Sequence, residues 1–332
     1  MAPRRRPPFE LGGVTVQPGQ RRQTELPIAR LVSGSQLALP VIMLHGRSDG
    51  PVLWLTAAIH GDEVAGTEVI RRVLARLDPR DLRGTLVALP VVNVHGFNTN
   101  DRYLPDRRDL NRSFPGSSRG SLASRVADLL MTEVVVRSDV GIDLHTGAAQ
   151  RTNLPQIRAD LSDLRTAELA AVFGAPIAVH ARIRDGSLRH AATEAGVTVL
   201  LFEGGEASRL EQDPVTVGTA GVLRVMAELD MIDEHEITTE RTRLMSARST
   251  WMRANRSGMV HLEASLGEVV TQNQPLASVY DPYGKRLGTV RSRVPGLIIG
   301  QTRSALLNRG DALAHVAELT HVDMPPATWA TV

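Results

Sequence analysis

The stretch VLWLTAAIHGDE, residues 52–63, is an apolar run of strand length that ends in an ionisable cluster. It is followed by VAGTEVIRRVLARL, residues 64–77, with the spacing of an amphipathic helix. A buried strand feeding a helix is the unit of an α/β domain, and the unit repeats outward from here. Strand patterns recur at Thr85–Val92, Val140–Leu144, Ile177–His180 and Val197–Phe202. Helical patterns lie between and after them, near Leu122–Val135, Asp163–Phe173, Ser187–Ala195 and Val215–Leu229. These patterns predict an α/β domain with a largely parallel sheet, led into by extended segments over residues 1–45. After Met245 the texture changes. From Ala254 to Glu318 short alternating segments are punctuated by Gly258, Gly267, Gly284, Gly288, Gly296, Gly300 and Gly310. This predicts two domains, 1–245 and a small all-β unit at 246–332, joined by an Arg-rich segment around Glu240–Trp251.

Composition narrows the chemistry. Of 332 residues 42% are hydrophobic and 22% charged, enough to build a buried core. With no Cys there is no disulfide framework, iron–sulfur cluster or thiol nucleophile, so a bound metal must be held by His, Asp or Glu. The 38 basic residues against 36 acidic ones leave a formal +2, too little for a nucleic-acid surface. Lys285 is the sole Lys, which removes Schiff-base chemistry everywhere else. Arg4-Arg5-Arg6 beside Pro7-Pro8 reads as a solvated arm. No apolar run approaches the roughly 18 residues that cross a bilayer, and the start lacks an apolar secretion segment, so a cytoplasmic protein with no membrane partner is expected.

His60 and Glu63 stand where the first strand meets its helix, at the carboxyl edge where α/β sheets bind ligands. An H-x-x-E pair alone is far more often structural. A second strand, however, ends in Asp143-Leu-His145-Thr-Gly147, and if the strands are neighbours both imidazoles reach one edge. Two imidazoles and a carboxylate are the ligand pattern of a catalytic zinc with an open position for water. A third strand runs into Glu203-Gly204-Gly205-Glu206. A Glu at the end of an apolar strand is costly unless paired or working, and an activated water needs a base, which makes Glu203 the candidate. Glu206 suits helix capping better. The long loop Asn93–Gly120 carries Arg102, Tyr103 and Asp109-Leu-Asn111-Arg112, and the Arg fork with a neutral Asn beside it suits a substrate carboxylate. Arg107-Arg108 next to it reads as solvated charge.

Taken together, H-G-D-E at 60–63, N-x-x-G-F-N at 93–98, Arg102-Tyr103, D-L-N-R at 109–112, D-L-H-T-G at 143–147 and E-G-G at 203–205 resemble the succinylglutamate desuccinylase/aspartoacylase family, a branch of the zinc carboxypeptidase superfamily. The resemblance spans residues 60–205 and implies a mixed sheet flanked by helices, with one Zn²⁺ per chain held by His60, Glu63 and His145. It implies Glu203 as general base and acid, Arg102 polarising the scissile carbonyl, and Asn111 and Arg112 holding the substrate's free carboxylate. Asp109 resembles the outer carboxylate that orients the first His. The spacer between Arg102 and Asp109 is longer than in aspartoacylases proper. The implied activity is removal of an acyl group from an N-acyl amino acid or related small metabolite. The alternatives are a carboxypeptidase acting on peptide C-termini and a non-catalytic metal- or ligand-binding protein. The glycine-punctuated segment after Ala254 resembles a lipoyl/biotinyl-like barrel, in which only Lys285 could carry a prosthetic group; a rim limiting access to the site is the favoured role. Neither the acyl group nor the oligomeric state, a homo-oligomer included, follows from the sequence.

Overall fold

Trp54 points to one side of its strand and Leu53 and Leu55 to the other, and that two-residue alternation sorts the core into two layers. The computed structural model describes residues 6–319 except 149, 182, 183, 234–240 and 243, so Arg4 and Arg5 lie outside the described residues. A hairpin of β1 (Phe9–Leu11) and β2 (Val14–Val16) leads in. The strands β3 (Gln20–Arg30), β4 (Gln36–His45), β5 (Ser48–Ala57), β6 (Arg83–Leu89), β7 (Val140–Gly147), β8 (Arg151–Ala159), β9 (Ile177–His180) and β10 (Thr198–Glu206) follow. The C-terminal strands are β11 (Leu244–Ser246), β12 (Ser249–Arg253), β13 (Gly258–Leu262), β14 (Val269–Val270), β15 (Pro275–Tyr280), β16 (Arg286–Arg291), β17 (Gly296–Thr302), β18 (Leu306–Leu307) and β19 (Ala312–Glu318).

At the centre β6, β5, β7 and β10 lie side by side and parallel. Antiparallel neighbours flank them: β4 and β3 beyond β6, and β8, β17, β19 and β12 beyond β10. The sheet is therefore mixed. One face carries α1 (Ala65–Leu74), α4 (Leu164–Phe173) and α6 (Gln212–Glu228), which pack Val69, Phe173 and Val222 on Leu53, Leu55, Ile142 and Leu200. The other carries α3 (Leu122–Glu133) and α5 (Leu188–Glu194), which pack Val126, Leu130 and Leu188 around Trp54 and Val199. Ser121, Asp163 and Ser187 cap the starts of α3, α4 and α5 by accepting a backbone N–H. No helix among the described residues is long and apolar enough to cross a membrane.

Three features depart from the sequence reading. The strand β8 was not anticipated, because RTNLPQIRA buries Asn153 and Gln156 and so shows no apolar alternation. Arg6 is not a solvated arm: its Nη1 donates to the carbonyls of Gly46 (3.1 Å) and Gly84 (2.6 Å) and its Nη2 to Thr85 Oγ1 (3.1 Å). The C-terminal strands divide between two sheets. A four-stranded sheet runs β16-β15-β13-β18, while β17 pairs directly with β8 and so extends the large sheet. They share an apolar cluster that includes Met252, Val279, Ile298 and Leu313. Lys285 is exposed in the turn after β15, its N–H donating to Asp281 Oδ1 at 2.9 Å.

Gly141 stands opposite Trp54, and a Cβ there would lie 1.9 Å from the indole Cε2. Overpacking of this kind costs roughly 1–3 kcal/mol, so Gly141→Ala should lower the urea midpoint with an unchanged m-value.

Candidate active site

Parallel pairing brings the three ionisable strand ends to one edge. Ala57 of β5 lies opposite Leu144 of β7, and His145 of β7 opposite Glu203 of β10. Because Leu144 and Phe202 face one core layer, His145 and Glu203 share the opposite face. After β5 the chain turns at Ala58, whose φ of +50° is left-handed and costs a non-Gly residue roughly 1–2 kcal/mol. The carbonyls of Ala57 and Ala58 accept from Val92 and Asn93 N–H at 3.0 and 2.8 Å, which holds the turn. Gly61 is required by close approach: a Cβ there would meet the backbone of Gly96 at 2.0 Å, in the short helix α2 (Val94–Thr99). The strand end and the following loop are thus pressed together where His60 and Glu63 project.

The imidazoles of His60 and His145 stand 5.1 Å apart between ring centroids. Each turns Nδ1 toward the same carboxylate: His60 Nδ1 is 2.8 Å from Glu63 Oε1 and His145 Nδ1 is 2.7 Å from Glu63 Oε2. One ligand atom from each of the three residues falls within 4.8 Å of the others, and all three residues are buried. Each imidazole turns Nε2 toward an outer carboxylate, His60 to Asp109 Oδ1 at 3.2 Å and His145 to Asp143 Oδ2 at 2.8 Å. Asp143 in turn accepts from Thr56 Oγ1 at 2.7 Å. An imidazole anchored by a carboxylate on one nitrogen and aimed at a shared point with the other is the arrangement of a metal ligand.

Charge agrees with that reading. Burial, the largest single influence, would raise the Glu63 carboxyl, yet the two imidazoles and their hydrogen bonds hold it well below the ordinary carboxylate range. Burial would likewise lower both histidines, but Glu63 with Asp109 raises His60, and Asp143 with Glu63 raises His145 well above its usual value. Asp62, beside them, is pushed up by burial and then by Glu63. The carboxylates of Glu63, Asp109 and Asp143 face the two proton-retaining imidazoles, and Arg102 pairs with Glu63 and Asp109. A divalent cation among the two Nδ1 atoms and Glu63 would take the place of the protons those nitrogens hold, and the donor set of two imidazoles and a carboxylate fits zinc.

The remaining predicted residues divide into those gathered at this point and those beside it. Arg102 is gathered: Nη1 donates to Glu63 Oε1 and Nη2 to Asp109 Oδ2, both at 3.1 Å. Its loop is tied down by Asn93, which caps α2 through Oδ1 and donates from Nδ2 to the Arg102 carbonyl at 3.2 Å. Asp109 caps a short 3-10 turn, Leu110–Arg112, by accepting from Asn111 N–H at 2.9 Å. Asn111 is buried, with Oδ1 accepting from Leu188 N–H at the start of α5 at 2.9 Å. Arg112 is exposed and its Nη1 donates to the Asn111 carbonyl. Glu203 lies beside His145, with Oε2 accepting from Asn153 Nδ2 at 2.7 Å. Glu206 caps no helix. It is the last residue of β10, ion-paired with Arg209 at 3.2 Å, while Glu211 occupies the cap position of α6. The sequence reading did not single out Asp143 as the His145 anchor or Asn153 as the Glu203 partner; Asp143, two residues before His145 on one strand face, was the one that alternation could have found.

The sequence profile of the succinylglutamate desuccinylase/aspartoacylase catalytic domain matches residues 49–229. Over 328 residues the chain is 29% identical to the N-alpha-acetyl-L-2,4-diaminobutyric acid deacetylase of Halomonas elongata, covering 94% of this chain and 93% of that protein. It is 28% identical over 178 residues to the succinylglutamate desuccinylase of Pseudomonas paraeruginosa, covering 47% of this chain and 53% of that one. A crystal structure of a succinylglutamate desuccinylase/aspartoacylase from Rhodobacter sphaeroides is similar, with a TM-score of 0.79 at 26% identity over 90% of this chain and 95% of that chain. The product-bound ectoine utilization protein of Ruegeria pomeroyi shares the fold, with a TM-score of 0.82 at 23% identity over the same shares of the two chains.

The geometry predicts that the metal-free protein takes up about one equivalent of Zn²⁺ per chain, and that Glu63→Gln, which halves the shared carboxylate, lowers the affinity at least about tenfold. Isothermal titration checks both.

Proposed function

The chain belongs to the succinylglutamate desuccinylase/aspartoacylase family, and from that premise we propose that it hydrolyses amide bonds as a zinc-dependent deacylase of small N-acyl amino acids. One observation carries the reading: two imidazoles aimed through Nδ1 at a single buried carboxylate, with Glu203 on the adjoining strand end. His60, Glu63 and His145 would hold the ion. Bound there, zinc supplies Lewis acidity toward water and a carbonyl oxygen.

The chain's own groups carry the protons and place the substrate. Glu203 takes a proton from the attacking water and returns it to the leaving nitrogen. Arg102 is fixed at the ligand carboxylate by Glu63 and Asp109, and its guanidinium stabilises negative charge that develops on the scissile carbonyl oxygen. Asn111 commits its carbonyl oxygen to α5, which leaves its amide N–H groups to donate, and with the exposed Arg112 it grips the substrate's carboxylate. The relative covering nearly the whole chain is a deacetylase, which favours the acetyl group over succinyl. The strands from residue 246 onward form the unit that rims the site, a placement supported by the pairing of β17 with β8 next to the Glu203 strand.

Glu203→Gln should keep its metal and lose about 10²- to 10⁴-fold in kcat, the usual worth of a general acid–base group. Arg102→Ala should lower kcat by about 10²- to 10³-fold. Arg112→Ala should instead raise KM about tenfold with little change in kcat, because it contacts a part of the substrate that does not react. In a panel of N-acetyl amino acids, N-succinyl amino acids and dipeptides, N-acetyl compounds should be cleaved fastest; preferential cleavage of dipeptides would favour the carboxypeptidase alternative.

A further inference from the structure

A carboxylate that shuttles a proton must be held in one orientation, and Glu203 has three side-chain torsions to restrain. On the side of β10 away from the metal ligands, one group does this. Asn153 of β8 is buried, and its Nδ2 donates to Glu203 Oε2 at 2.7 Å. The reach depends on an irregularity in the ladder. Between Glu203 and Gly205 the pairing of β10 with β8 shifts, so that Gly205, at a φ of +78°, stands opposite Asn153. Bulges near active sites re-aim side chains in this way.

The opposite edge of Asn153 is closed by the C-terminal strands. Gly300 of β17 pairs with Asn153 on one side and with His315 of β19 on the other. A Cβ at Gly300 would lie 2.9 Å from Asn153 Oδ1, 3.3 Å from the His315 Cβ and 3.6 Å from the Trp251 ring. The glycine therefore leaves the slot in which the amide oxygen rests. Behind it His315 stacks on Trp251 with centroids 4.5 Å apart and planes 8° from parallel. The amide thus donates to the carboxylate on one side and has the Gly300 slot on the other.

We infer that Asn153, seated against Gly300, is a positioning residue that holds the Glu203 carboxylate in its working orientation, so that the C-terminal strands set the geometry of proton transfer. The inference rests on the reading of Glu203 as the proton carrier. It gives the C-terminal strands a part in the reaction beyond restricting access.

Two substitutions 147 residues apart in sequence test it. Asn153→Leu removes the donor at similar volume, whereas Gly300→Ala keeps Asn153 and crowds its amide oxygen. With the full-length, zinc-loaded protein, each should lower kcat about tenfold or more while KM stays within about twofold, since neither residue binds the substrate. Zinc content and the unfolding midpoint, measured on the same samples, should stay near those of the parent. The two losses should not multiply: the double variant should be no slower than Asn153→Leu alone, as expected of residues acting through one hydrogen bond. In a Glu203→Gln background Asn153→Leu should change nothing. If Asn153→Leu fails to fold, Asn153→Ser and Gly300→Ala carry the same comparison. An Asn153→Leu protein with parental kcat, or multiplying losses, would overturn the inference while an inactive Glu203→Gln leaves the proposed function standing. A fully active Glu203→Gln would instead remove the proton-carrier reading itself.

Discussion

The carboxylate of Glu63 lies between two imidazoles in the interior, and the rest of the molecule is arranged to bring those three groups together. Burying a carboxylate is expensive without partners, and here one partner comes from the same turn and the other from a strand 82 residues away. Their meeting depends on the parallel register of β5, β7 and β10, which sets the strand ends level, and on the close approach at Gly61 that presses the first turn against α2. The outer carboxylates Asp109 and Asp143 then orient the rings. A strand slipped by one residue would send His145 into the opposite core layer, so fold register and site geometry are a single constraint.

Much of this was legible in the sequence, for physical reasons that differ from residue to residue. The parallel strands are buried on both faces and read as continuous apolar runs, so β5, β6, β7, β9 and β10 were found within a few residues of their ends. His60, Glu63, His145 and Glu203 drew notice because ionisable groups are conspicuous at the ends of such runs, and the strand register brings them to one edge. The same logic fails for β8, whose buried face carries Asn153 and Gln156 in place of aliphatic residues. Arg6 was misread because its partners are carbonyls of Gly46 and Gly84, and backbone acceptors leave no mark in a sequence. Glu206 was misread because β10 runs through both glycines to its end, which delays the helix to Gln212. Arg102 bridges Glu63 and Asp109, a contact that depends on how the loop from Asn93 folds back, and no local pattern encodes that.

The C-terminal strands show how a segment distant in sequence enters a site by extending a sheet. The texture of this segment predicted a small all-β unit, and the segment does have an apolar cluster of its own. Yet β17 joins β8 edge to edge, which places Gly300 one strand and His315 two strands beyond the partner of Glu203. Pairing across a sheet edge transmits position with little play, because each residue is fixed by backbone bonds on both sides.

The central claim is that His60, Glu63 and His145 hold one cation, with both imidazoles bound through Nδ1 because Nε2 is committed to Asp143 and Asp109. A crystal structure of the zinc-loaded protein with anomalous data collected at the zinc edge tests it most directly. The account predicts a single anomalous peak within about 2.0–2.2 Å of both Nδ1 atoms and a Glu63 oxygen. A peak elsewhere, or coordination through Nε2 with the outer carboxylates displaced, would contradict it.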